Sequence, residues 1–117
     1  MPDTIQILTT IPDKPLALQI AQALIETRLA ACVQISGPVE SIYRWQGQIE
    51  TATEWQCWIK TTRDRYAQVE QAIRRLHPYE VPEILALPVV EGHVDYMQWL
   101  ERSLVEDNPK FDNAKSP

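Results

Sequence analysis

His77, Tyr79, Glu80 and Glu83 crowd into the stretch HPYEVPEIL at 77–85. An imidazole nitrogen beside a carboxylate oxygen suits copper or zinc, so His77 with Glu80 is the candidate metal-binding pair. A closed site takes about four ligands, and a single histidine supplies one of them. The other reading has His77 capping the C-terminus of a helix and Tyr79 packing beside it. His93, directly after Gly92, reads as a helix-start or surface residue. Glu54, Lys60 and Glu83 carry the right groups for acid–base chemistry, although charged side chains on strand surfaces are ordinary. No Ser or Cys is paired with a base in a recognisable nucleophile motif. There is no Walker loop and no GxGxxG, and three glycines are few for a phosphate cradle. Binding without catalysis is the expectation.

The composition bounds the classes of partner. A chain of 117 residues suits one domain with one core, and 44% hydrophobic with 23% charged residues is a globular balance. The net charge of −5 is a poor match for a phosphate backbone, which argues against nucleic acid. No run is long and apolar enough to span a membrane. The first residues, MPDTIQILTT, lack the basic and apolar regions of a secretory signal, so a cytoplasmic protein is expected. Cys32 and Cys57 are too far apart for a CxxC motif and read as buried free thiols.

The elements that must position these residues follow from periodicity. TIQILTT at 4–10 is a β-branched strand. Leu16, Ile20 and Leu24, beside Ala17, Ala21 and Ile25, mark an amphipathic helix with its proline in the first turn. AACVQI at 30–35 opens a second strand, Ser36-Gly37-Pro38 bends or bulges it, and VESIYRW continues it. Gln46-Gly47 is a tight turn, and residues 49–61 return as a long strand. Tyr66, Val69, Ile73 and Leu76 stripe a second helix that ends near His77, because Pro78 disfavours helix before it. EILALPVV is a fourth strand. A third helix follows over 93–104, with Val94, Met97, Leu100 and Leu104 as its stripe. This gives one domain over 1–107 and a polar, loose tail over 108–117. The fold class is α+β: a ferredoxin-like βαββαβ unit with an additional C-terminal helix, its two core helices covering one face of a four-stranded antiparallel sheet.

The central hairpin is much longer than the first strand. It carries Trp45, Trp55 and Trp58 with Ile42 and Tyr43. A projecting two-stranded ribbon is marginal alone and leaves unpaired edges, and aromatic residues on it mark an interface. An oligomer that pairs these edges between chains is expected.

Many functions share this topology. The loop TTIPDKP lacks the Gly and Arg of small acylphosphatases and the CxxC of heavy-metal chaperones, and EWQCWIKT is no RNP1 strand. Taken together, TTIPDK, LAACV, SIYRWQGQIE, IKT, HPYEVPEIL and DYMQWL resemble the CutA family of divalent-cation-tolerance proteins along all but the tail. The resemblance implies a tight homotrimer similar in architecture to the PII signalling proteins, with a cleft between subunits. The family's cleft residues map to Tyr43, Trp45, Glu54, Lys60, Tyr79, Glu80 and Tyr96. It also implies a role in the response to divalent metals, with weak copper or other divalent-ion binding through His77. Of the family's copper ligands only His77 remains, because Thr9 stands at the cysteine position and Leu76 at the first histidine. Cys32 in LAACV reads as core. The alternative function is a PII-like sensor or scaffold that takes a small molecule or a protein partner in the cleft, with no direct metal role.

Overall fold

The computed structural model describes residues 3–105, so the expected tail over 108–117 lies outside the described residues. Strand β1 (Thr4–Ile11) leads to helix α1 (Lys14–Glu26). The hairpin follows as β2 (Cys32–Trp45) and β3 (Gln48–Thr62). A 3-10 turn at Arg63–Arg65 opens helix α2 (Tyr66–Leu76), and β4 (Ile84–Pro88) and α3 (Val94–Ser103) complete the order. The four strands form one antiparallel sheet in the order β2-β3-β1-β4.

Alternation along the strands divides this sheet into two faces. Ile5, Ile7 and Ile11 of β1 and Cys57 and Ile59 of β3 point to one side, where Ala17, Ile20 and Leu24 of α1 and Val69 and Ile73 of α2 bury them. Each fully buried Ile or Leu is worth roughly 1.5–3 kcal/mol. The ends of α1 are specified locally. Asp13 accepts a 2.8 Å hydrogen bond from the Leu16 amide at the N-terminus. At the other end Arg28 takes a positive φ of 58°, while Leu29 N–H donates to Leu24 O and Arg28 N–H to Ile25 O. That is a Schellman closure with arginine where glycine is usual. The guanidinium accounts for the exception: Nη1 donates to Ser103 O at the C-terminus of α3, where cations are favoured. Arg65 reaches the same end through Leu104 O.

The third helix does not keep its expected stripe. Leu100 and Leu104 are buried, but Val94 is exposed and Met97 only half-buried. The helix is held by its arginine-capped end and by contacts with β3, which turn the first part of the stripe outward.

β1 pairs with β3 only from Thr62 to Trp55, whereas β2 follows β3 out to Trp45 opposite Gln48. The hairpin therefore projects as a two-stranded arm. Its turn places Gln46 and Gly47 at φ of 50° and 80°, the positive pair that matches strand twist in a type I′ turn. At its base the register shifts between Ser36 and Val39, so Ser36-Gly37-Pro38 is the expected bulge. The Gly37–Pro38 peptide is cis.

Strand register corrects two expectations. Cys32 pairs with Lys60 and Val33 with Ile59, so Val33 faces the core while Cys32 lies half-buried on the other face. Only Cys57 is a core thiol, and burial pushes it up to about 11. Trp55, expected on the exposed arm, instead packs against the core with Lys14 Nζ 5.3 Å from its ring centre.

Gly37 is the arm's most constrained backbone position. Its φ is 152°, and a Cβ there would lie 2.8 Å from Trp55 Cε3, closer than packed carbons approach. Gly37→Ala is expected to lower stability by about 1–3 kcal/mol in urea denaturation. A variant as stable as the wild type would contradict this account of the bulge.

Candidate functional site

Two buried polar residues set the site's geometry. His77 is the C-cap of α2, where its amide donates to Ile73 O, and the residue is 7% exposed. Nε2 lies 2.7 Å from Thr10 O, and Nδ1 accepts the Tyr79 amide at 3.1 Å. A carbonyl only accepts, so the ring making both bonds is the Nε2–H tautomer. The imidazole thus ties the 77–79 turn to the end of β1. The Tyr79 ring packs against it, tilted by 54°, with 4.7 Å between centres.

That placement carries the Tyr79 hydroxyl to Glu54. The hydroxyl donates to Oε2 at 3.0 Å, and Glu54 is 5% exposed, a position carboxylates seldom take without partners. Burial first, then the bond to Glu54 and its charge, then Tyr43, push the Tyr79 phenol up to about 12. The phenol therefore stays protonated and able to donate.

Around this pair is an open cavity of about 580 Å³ between the arm and the turn. Tyr43 and Trp45, two residues apart on one face of β2, form one wall with Ser41 and Ile42. Tyr79, Glu80, Val81 and Glu83 form the other, and Thr10 and Glu54 lie at the base. Five of the seven expected cleft residues thus come together: Tyr43, Trp45, Glu54, Tyr79 and Glu80. Lys60 and Tyr96 do not join them. They meet each other, with Lys60 Nζ 5.5 Å from the Tyr96 ring centre, in cation–π range. Lys60 lies on the same face of β3 as Glu54, about 20 Å along the strand. Of the acid–base set, Glu54 and Glu83 share the cavity and Lys60 does not. Thr10, Ser41 and Val81 were not expected. The alternation that pairs Tyr43 with Trp45 also selects Ser41, but Thr10 enters only through tertiary packing.

The metal expectation fares differently. Both nitrogens of His77 are engaged within the chain, so a metal would have to break one of those bonds. Thr9 is wholly buried on the helical face of the sheet with its hydroxyl unpaired, and Leu76 offers only an alkyl group. Among the described residues no group of three or more His, Cys, Asp or Glu side chains is placed to hold a metal ion. These positions do not make a donor set for copper.

The tyrosine–glutamate bond has a titration consequence. Tyr79 ionises near 12 in the folded chain against 10 for an ordinary phenol. Its contribution to stability is therefore complete below pH 10 and is lost as pH rises towards 12. Tyrosinate absorbance should show this late-titrating phenol, and Glu54→Gln should move it down while leaving the hydroxyl an acceptor. An unmoved titration would contradict the assignment.

The comparisons with known proteins agree with this architecture. Residues 5–103 match the family model described as CutA1 divalent ion tolerance protein. A divalent-cation tolerance protein CutA from Thermus thermophilus is 44% identical over 97 residues, covering 83% of this chain and 94% of that one. The crystal structure of CutA1 from the psychrotrophic Shewanella sp. SIB1 superposes with a TM-score of 0.84 at 44% identity, covering 87% of this chain and 95% of that one. A CutA from Archaeoglobus fulgidus, described as periplasmic, gives a TM-score of 0.84 at 35% identity over 86% of this chain and 98% of its own. The family model and the Thermus and Archaeoglobus proteins are named as tolerance proteins rather than as enzymes. The chain belongs to the CutA1 divalent ion tolerance family.

Proposed function

We propose that this chain contributes to divalent-cation tolerance as a homotrimer that binds a small molecule, with the cavity between the arm and the HPYEVP turn as its site. The observation that carries the reading is Glu54. A carboxylate 5% exposed, hydrogen-bonded to Tyr79 and lining an aromatic-walled cavity, is a group held ready for a ligand. The site acts by binding, and the metal response is downstream of the ligand. Direct coordination by His77 is the weaker reading, because both of its ring nitrogens already have partners.

The trimer is supported by the arm. Ile42 and Ile49 near its tip are 72% and 70% exposed, beyond the reach of β1 and the helices, and β2 has a free edge along the sheet. A neighbouring copy that pairs with this edge would cover both isoleucines and close the cavity into an inter-subunit cleft. The βαββαβ order and the β2-β3-β1-β4 sheet support a ferredoxin-like reading of the protomer, and the proposed assembly is of the PII-like type. Among the described residues no helix is long and apolar enough to cross a membrane. The two free thiols suit a reducing compartment such as the cytoplasm.

Sedimentation equilibrium should give the mass of three chains for the wild type. Ile42→Asp combined with Ile49→Asp, both on the arm and outside the core, should shift it to lighter species without unfolding the protomer by circular dichroism. A monomeric wild type would contradict the proposal.

A further inference from the structure

We infer that the ligand of this cavity is an aliphatic polyamine, an elongated organic cation with more than one ammonium group. The inference rests on the cavity reading above and narrows it to a class of ligand. Three carboxylates, Glu54, Glu80 and Glu83, line the space, and no Lys, Arg or His is among its described lining residues. An anionic metabolite would meet uncompensated repulsion there. A cation is drawn in, and the chain's net charge of −5 adds a field of the same sign.

The spacing of the charges separates an organic cation from a metal ion. Divalent metals need several oxygens converging on one point. The three glutamates do not converge: no group of three or more acidic, histidine or cysteine side chains among the described residues is close enough to hold one ion. A space of about 580 Å³ is also far larger than an ion requires and falls in the range of small-molecule pockets. Charges distributed along such a space match ammonium groups distributed along a chain.

The walls supply the rest of the recognition. Tyr43, Trp45 and Tyr79 are 43%, 42% and 37% exposed, so their rings remain available to a ligand. Aromatic faces attract ammonium groups and cover methylene chains equally well. Glu54 gives the innermost anchor. Tyr79 donates to its Oε2, which orients the carboxylate and leaves Oε1 to accept an ammonium hydrogen. The hydroxyls of Thr10 and Ser41 add neutral acceptors beside it. The outer glutamates, Glu80 and Glu83, lie on the exposed turn, where they meet the far end of the chain.

The test is isothermal titration of the full-length protein with spermidine, run beside Mg2+, ATP and a neutral diol of similar length, with sedimentation in the same buffer. Spermidine should bind saturably, one per chain, and weaken as salt is raised. Trp45→Leu and Glu54→Gln should each weaken it at least about tenfold, and Glu54→Gln keeps an acceptor for Tyr79 so that the fold survives. Arg74→Ala, on the exposed face of α2 and outside the cavity, should leave it unchanged. Binding of ATP or the diol with none of spermidine would overturn the polyamine assignment and leave the small-molecule cavity standing. Spermidine binding unchanged in both cavity variants would place it elsewhere and overturn the inference. A wild type that binds none of the four overturns it too, and a monomeric mass in that sample would remove the parent reading with it.

Discussion

The arrangement depends on one imidazole. His77 accepts the Tyr79 amide through Nδ1 and donates through Nε2 to Thr10 O, joining the end of α2, the 77–79 turn and the last part of β1 in two hydrogen bonds. Buried polar groups are costly unless paired, and here the pairing determines where the next residue goes. Tyr79 is thereby held over β3, where its hydroxyl meets Glu54. Pro78 adds a fixed φ and the absence of a donor, so the helix stops and the turn begins without competing conformations. A residue type that invites a metal-ligand reading serves here as a backbone clamp.

The other wall of the cavity is set by the bulge. One extra residue in β2 between Ser36 and Val39 increases local twist and re-aims the strand beyond it. From there Ser41, Tyr43 and Trp45 face the HPYEVP turn, while Trp55 on β3 turns back to the core beneath Gly37. Helix end and strand bulge are far apart in sequence, but they position the two sides of one site, and Glu54 lies buried between them.

Much of this was legible in the sequence. Ile and Val alternation, the helical stripes of Leu24 and Ile73, the Gln46-Gly47 turn and the stop at Pro78 are local signals, and each element formed within a few residues of where they placed it. What was not legible depends on register or on distant partners. Cys32 and Val33 are adjacent, and only the pairing with Lys60 and Ile59 decides which of them enters the core. The outward turn of Val94 goes with arginines just after α1 and just before α2 that hold the far end of α3. Lys60 and Tyr96 looked like companions of Glu54, but within one chain strand length keeps them apart. His77 itself was ambiguous because capping and ligation call for the same residue, and its two partners, Thr10 O and the Tyr79 amide, are set only by the tertiary structure.

The most direct test of this account is the tautomer of His77, read from imidazole nitrogen chemical shifts in a labelled sample. The account predicts a pyrrole-type Nε2 carrying the hydrogen and a pyridine-type Nδ1, unchanged when Zn2+ or Cu+ is added. A hydrogen on Nδ1, or a shift of either nitrogen to a metal-coordinated value on titration, would contradict it and return the HPYEVPEIL turn to the metal reading.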